Sequence, residues 1–288
     1  MTPSAAPTDG SSFVMTRAPS GMHPATLLLI LLAAAGGRAL LDLQIGVFAG
    51  ELWQRAIEVL TAVITGAVAF QFARDDPPRR PWTLFFVAMA IVPLVRLLSF
   101  LHLEVNGIAL AYVLIIIGNF FLAGTLVAFG RVLGSAELLD ERTRDDRLRA
   151  TAVVALLTLS ALAVLAYNTF EVLERGLPTT SGAWVAAIAN VVSTLCDAFA
   201  FAGGLYLVWL VRPLLGGLLA RPYLLLAAAA GVFLAVDILL VAAGATVQTD
   251  LVATGVSTLL PKWLGCFAYA CLALTSASQL ALLHSLRR

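Results

Sequence analysis

The sequence predicts an all-α polytopic membrane protein with eight transmembrane helices and both termini on the cytoplasmic side. Three observations carry that reading. Of the 288 residues, 60% are hydrophobic and only 12% are charged, with a mean hydropathy of +0.95. A typical soluble domain carries about a quarter charged residues. Apolar runs long enough to cross a ~30 Å hydrocarbon core as helices recur along the chain, and basic residues crowd into alternate connections. The spans and their short loops account for most of the length, so no soluble enzymatic domain fits in the remainder.

Residues 1–22, rich in Pro, Ser, Thr and Ala, bury too little to offset the entropy of ordering and are expected to form a disordered cytoplasmic tail. The predicted spans follow at 25–48, 51–73, 82–103, 107–130, 150–171, 183–211, 222–246 and 262–285. A helix satisfies its own backbone inside lipid, which is why each run is read as one. Pro81, Pro222 and Pro261 fall at or near helix starts, where a missing N–H costs nothing. Pro93 lies inside the third span and predicts a kink.

The first span also has the look of a secretory leader, because the apolar core at 26–35 ends in Ala33-Ala34-Ala35-Gly36. Apolar residues resume past Arg38 and Asp42 through Leu43, Ile45, Val47 and Phe48, and a leader would normally carry a more basic start. A retained span is therefore expected.

Orientation follows from Lys and Arg, which are held on the cytoplasmic side. Arg17 precedes the first span, Arg74, Arg79 and Arg80 join the second to the third, and Arg131, Arg142, Arg144, Arg147 and Arg149 join the fourth to the fifth. Arg212 and Arg221 join the sixth to the seventh, and Arg287 and Arg288 end the chain. The opposite face has Arg175 and Lys262. This places both termini inside, in agreement with an even number of spans, and the Arg-rich, compact inner loops point to a bacterial inner membrane.

The chain also reads as a duplication. Arg80-Pro81-Trp82 opens the third span and Arg221-Pro222-Tyr223 the seventh, and the ungapped alignment sets Arg96 opposite Asp237 at equal depth. Trp53-x-x-x-Ile57 and Trp184-x-x-x-Ile188 match more loosely at the second and sixth. The resulting organisation is a first membrane half at 23–134, a charged cytoplasmic linker at 135–149, and a second half at 150–288. In the linker, Asp140 with Arg144 and Asp145 with Arg149 at i,i+4 suit a solvated helix. Four spans per repeat would give two copies of the same orientation, as in parallel-repeat transporters.

The candidate site is a set of charges that should not be in a membrane. Arg38 and Asp42 are one turn apart on the first span, Glu51, Arg55 and Glu58 lie on the second, Arg96 on the third, Asn190 and Asp197 on the sixth and Asp237 on the seventh. A charge at the bilayer centre costs about 2.5–3.5 kcal/mol on insertion scales, so such residues face the protein interior and find partners. Given the directions of their spans, most of these residues fall in the outer half, with Asp197 nearer the middle and Glu51 closer to the interface and solvated. Two readings follow for the set Arg38, Asp42, Arg55, Glu58, Arg96, Asn190, Asp197 and Asp237. One is an outward-facing polar cavity for a small polar or charged solute, with a protonatable carboxylate or a cation among its means. The other is an ion-paired network that fixes helix register in a non-catalytic subunit, with Arg38–Asp42 and Arg55–Glu51 or Arg55–Glu58 as local pairs. The alignment adds an Arg96–Asp237 pair.

Other features are read as packing. Trp53, Trp82, Trp184, Trp209 and Trp263 cluster near helix ends as interfacial anchors do. Gly118, Gly124 and Gly203-Gly204 permit close helix approach. Cys196, Cys266 and Cys271 read as small core residues. His23, His102 and His284 lack ligand spacing, so neither a metal nor another cofactor is expected, and a net charge of +1 argues against a nucleic-acid surface. Lipids, a small solute and protons are the expected partners.

Glu51-x-x-x-Arg55 followed by Leu98-x-x-x-His102 resembles the first two motifs of the CPBP family of intramembrane glutamate proteases, over about fifty residues. The resemblance implies a glutamate that activates water and a histidine that assists. Gly50 stands where the family has the first Glu of a pair, Leu98 where it has an aromatic residue, and no later His-x-x-x-Asn occurs. Solute binding or translocation therefore leads, the non-catalytic subunit comes second, and a degenerate intramembrane hydrolase third.

Overall fold

The computed structural model describes residues 23–135, 177–242 other than 216, and 259–286, together with individual positions within 151–170. The expected tail at 1–22, most of the linker at 135–149, the fifth predicted span at 150–171 and Arg175 lie wholly or largely outside the described residues. The described part is helical apart from one two-residue ladder. Its seven long helices are α1 (Pro24–Gln44), α2 (Val47–Ala69), α3 (Arg79–Phe100), α4 (Leu110–Ser135), α5 (Ser181–Leu210), α6 (Arg221–Ala242) and α7 (Leu259–Leu286). Each is long and apolar enough to cross a membrane. Large apolar side chains such as Leu29, Phe48, Val63, Phe70, Phe100 and Phe120 are exposed on the outer surface, a belt that lipid would cover.

Helix starts follow local chemistry. Pro24 opens α1 in the first turn, and the His23 ring accepts from the Ala25 N–H at 3.2 Å. Thr180 caps α5 by accepting from the Ala183 N–H. Pro81 and Pro222 sit in the first turns of α3 and α6, where their missing donors have no intrahelical partner. Pro93 lies inside α3, which continues through it.

A hairpin not anticipated from the hydropathy pattern separates α3 from α4: strand β1 (Glu104–Val105) pairs antiparallel with strand β2 (Ile108–Ala109). Asn106 and Gly107 take positive φ in its turn, the conformation that an Asn-Gly pair adopts readily. Gly182, in the first turn of α5, packs so closely on the Gly107 carbonyl that no side chain fits between them.

Helices α2 to α7 form a ring in which each packs on its chain neighbour and α7 closes against α2; α1 lies outside, across α2 and α7. Helix directions can be read from the contacts. Glu51, Thr61 and Thr65 of α2 meet Lys262, Tyr269 and Ser276 of α7, so these helices are parallel. Gly203 approaches Leu126 and Gly130 approaches Tyr206, so α4 and α5 are parallel as well. The remaining neighbours are antiparallel. It follows that Ser135 and Ser181 lie at opposite ends of the bundle, bridged by residues 136–180. The start of α1, the α2–α3 and α5–α6 connections, and the ends of α4 and α7 share one face, which carries Arg74, Arg79, Arg80, Arg131, Arg212 and Arg221. The hairpin lies on the other.

The interior is tight. Gly204 meets the Ala227 backbone, a Cβ there standing 2.8 Å from the Ala227 Cα, and Gly118 fits against Ile91. Trp82, expected at an interface, is instead buried in the core, edge-on to Phe129 at 5.3 Å between ring centroids. Its place in the first turn of α3 turns it inward against α4 rather than outward to headgroups.

Candidate functional site

The site grows from a polar stripe on α2. Gly50, Gln54, Glu58, Thr61 and Thr65 recur at three- and four-residue spacing and are all buried, so one face of an otherwise apolar helix is polar along most of its length. Thr61 and Thr65 donate to the Ile57 and Thr61 carbonyls one turn back, which satisfies their hydroxyls locally. Glu51 and Arg55 flank the stripe.

Helix α1 supplies the opposing group. Arg38 is wholly buried, and its Nε donates to Asp42 Oδ2 at 3.0 Å on the next turn. Its other donors cross to α2, one to the Gln54 side-chain oxygen and one to Glu51 Oε1 at 3.2 Å. Trp263 of α7 completes the corner by donating to Asp42 Oδ2 at 2.9 Å. A second tryptophan, Trp53, donates to the Ala34 carbonyl at 2.9 Å. These indoles act as donors between helices, a role beyond the anchoring expected of them.

The network continues along α2. Arg55 bridges Glu51 at 2.6 Å and Glu58 at 3.1 Å, Gln54 donates to Glu58 at 2.9 Å, and Arg96 of α3 stands 3.7 Å from Glu58. Lys262 of α7 stands 3.8 Å from Glu51. Glu51, expected to be solvated, is therefore a hub contacted by three cations, with only about a third of its side chain exposed. Both alternatives for Arg55 hold at once, and the local Arg38–Asp42 pair is present.

On the far side of the ring, Asp197 of α5 and Asp237 of α6 lie beside each other, with Thr194 next to them. Asp237 is buried, and its Oδ2 has no hydrogen-bond partner among the described residues. Between the two walls lies a cavity of about 250 Å³ lined by residues from all six ring helices. Glu51, Gln54, Arg55, Arg96 and Lys262 form one side, and Ser193, Asp197 and Asp237 the other, with Asn119 and Tyr269 between apolar residues such as Met89, Val92 and Phe233.

Of the eight residues singled out from sequence, Arg55, Arg96, Asp197 and Asp237 line this cavity, and Glu58 lies behind Arg55 and Arg96. Arg38 and Asp42 belong to the closed corner with α1. Asn190 is half-buried one turn before Thr194, whose hydroxyl donates to its backbone carbonyl, and it does not line the cavity. Arg96 and Asp237 both face the cavity, with Glu58 beside the first and Asp197 beside the second. Sequence reasoning missed Gln54, Ser193, Lys262 and Trp263. For Gln54 the signal was present in the spacing of the α2 stripe; for Lys262 and Trp263 no local pattern marks them, because only the closure of α7 on α2 brings them in.

His102, the second residue of the protease-like pattern, is exposed beyond the end of α3 and does not line the cavity that Glu51 borders. Among the described residues no group of three His, Cys, Asp or Glu side chains is placed to hold a metal ion. No family model, curated protein or solved structure matches the chain.

Proposed function

We propose that the protein is an integral membrane protein that binds, and through alternating access translocates, a small polar or charged solute in the cavity enclosed by α2–α7. The observation that carries this reading is the cavity itself: six apolar helices converge on a space lined by charged side chains from α2, α3, α5, α6 and α7. Intramembrane charge around such a space is a functional pointer, because a purely structural network gains nothing from leaving room. The structural alternative suits a different subset. Arg38, Asp42 and Trp263 close on each other away from the cavity, joined to its wall through Gln54, and we assign that corner to holding α1 in register.

Asp197 and Asp237 give the cavity a second capacity. Two neighbouring buried carboxyl groups repel unless a proton or a cation sits between them. Proton coupling, or a cationic group on the solute, is the use we infer for this pair.

The helix directions favour a fifth predicted span at 150–171 as the segment that returns the chain across the bilayer between α4 and α5, for a total of eight. A twofold relating α2–α4 to α5–α7 would exchange the two parallel contacts, α4–α5 and α7–α2, and a four-plus-four duplication would give that arrangement. The arginine-rich face is cytoplasmic in this reading, in a bacterial inner membrane, and the hairpin face is external.

The test is access. With the three native cysteines changed to alanine, Ser193→Cys should react with a small cationic methanethiosulfonate added from the hairpin face, and a panel of amino acids, polyamines and carboxylates should include compounds that slow the reaction. A cysteine at 193 that stays unmodified in folded protein would overturn the cavity reading.

A further inference from the structure

A second recess lies on the outside of the ring, between the first half of α3 and the second half of α4. It has a volume of about 550 Å³ and is lined by Pro81, Leu84, Phe120, Phe121, Gly124 and Val127, with Arg80 and Arg131 at one end. Phe120, Val127 and both arginines are exposed, so the trough opens outward. Gly124 lets the floor sink to Leu84.

The dimensions are those of one leaflet. From Phe120 to Val132 the helix rises about 18 Å at 1.5 Å per residue, against roughly 15 Å for half of a 30 Å hydrocarbon core. The arginines mark the face shared by the α2–α3 and α5–α6 connections, where lipid headgroups would lie. Neither has an ion-pair partner among the described residues.

We propose that this trough holds one anionic phospholipid, its acyl chain along Leu84, Phe121, Gly124 and Val127 and its phosphate between Arg80 and Arg131. Two guanidiniums can each donate in paired fashion to a phosphate, and a basic pocket between helices at the cytoplasmic side is the arrangement that retains anionic headgroups. A zwitterionic phospholipid fills the same trough but brings a cation of its own beside the arginines, which weakens the electrostatic gain. The site is independent of the central cavity: it uses none of its residues and opens to the membrane.

The experiment is native mass spectrometry of the purified full-length protein in mild detergent, titrated with phosphatidylglycerol or phosphatidylcholine. Phosphatidylglycerol should bind tightly at one copy per chain, and phosphatidylcholine should bind weakly. Arg80→Gln with Arg131→Gln should weaken phosphatidylglycerol binding about 30-fold, the equivalent of about 1 kcal/mol for each arginine, and leave phosphatidylcholine unchanged. Gly124→Leu, which fills the trough without touching charge, should weaken both lipids while the protein keeps its thermal transition. Equal binding of the two lipids by the wild type, or phosphatidylglycerol binding unaltered in either variant, would overturn the proposal.

Discussion

Gly50 on α2 faces the carboxylate of Asp42 on α1 with no space for a side chain between them. A Cβ at residue 50 would stand 2.6 Å from Asp42 Cγ and 2.9 Å from Arg38 Nε. The close approach of α1 to α2, and with it the burial of Arg38, depends on the absence of that one carbon. Gly50→Ala should therefore destabilise the protein by about 1–3 kcal/mol, the cost of overpacking a filled interior. Gly36→Ala serves as the control, because a Cβ there meets nothing within 4 Å and should gain about 0.5–1 kcal/mol in a helix interior. Thermal unfolding in detergent separates the two; equal melting temperatures would show that α1 does not pack as described.

Arg38 reaches Asp42, Gln54 and Glu51 together, so Arg38→Met should strand buried acceptors and cost about 3–5 kcal/mol. Adding Asp42→Leu removes the nearest stranded charge and should recover part of the loss, a coupling that a double-mutant cycle measures directly. Strict additivity would mean that the pair is not closed in the membrane.

The shared face of the connections is testable by labelling. Ala73→Cys in the α2–α3 connection and Leu215→Cys in the α5–α6 connection should react with an impermeant maleimide only after the cytoplasmic side is opened. Asn106→Cys in the hairpin should react in intact cells. A reporter fused after Arg288 should be active on the same side as residues 73 and 215. Labelling of 73 and 215 from opposite sides would refute the parallel pairing of α4 with α5.

Parallel packing of α2 on α7 makes a more local prediction. The Thr65 and Ser276 hydroxyls are 2.8 Å apart, so in a chain otherwise free of cysteine the pair Thr65→Cys and Ser276→Cys should cross-link under copper phenanthroline. Thr65→Cys with Leu264→Cys, more than three turns away along α7, should not. The reverse result would require an antiparallel contact and a different ring.

The extent of the helices was legible in the sequence because lipid imposes it. A backbone inside hydrocarbon must satisfy itself, and the length of each apolar run follows from the thickness crossed. The observed bounds of α1, α2, α3, α5 and α6 fall within a few residues of the hydropathy reading. The charges within the spans were legible for the same reason: Arg38, Glu58, Arg96 and Asp237 stand out against an apolar background whatever the packing. The Asn106-Gly107 turn was equally local and was passed over, since a two-residue ladder leaves hardly any trace in hydropathy.

Partnership was another matter. Each of these charges has an oppositely charged neighbour one turn away or on a span of similar depth, and depth alone allows many pairings. Glu51 beside Lys262 exists because α7 returns to pack parallel to α2, Trp263 on Asp42 because α1 lies across both, and Arg96 beside Glu58 because α3 packs antiparallel on α2. Contacts between α2 and α7 join residues some two hundred positions apart, including the Thr61–Tyr269 and Thr65–Ser276 contacts, and no spacing rule within a helix reaches that far. The sequence by itself determined which segments are apolar enough to span and which residues are too polar to face lipid, both properties of a segment and its solvent. Which of those residues close on each other and which border a cavity was decided by how the helices are arranged in the ring, and that depends on side-chain fit at points such as Gly50 and Gly204, where one added carbon would collide with the opposing helix.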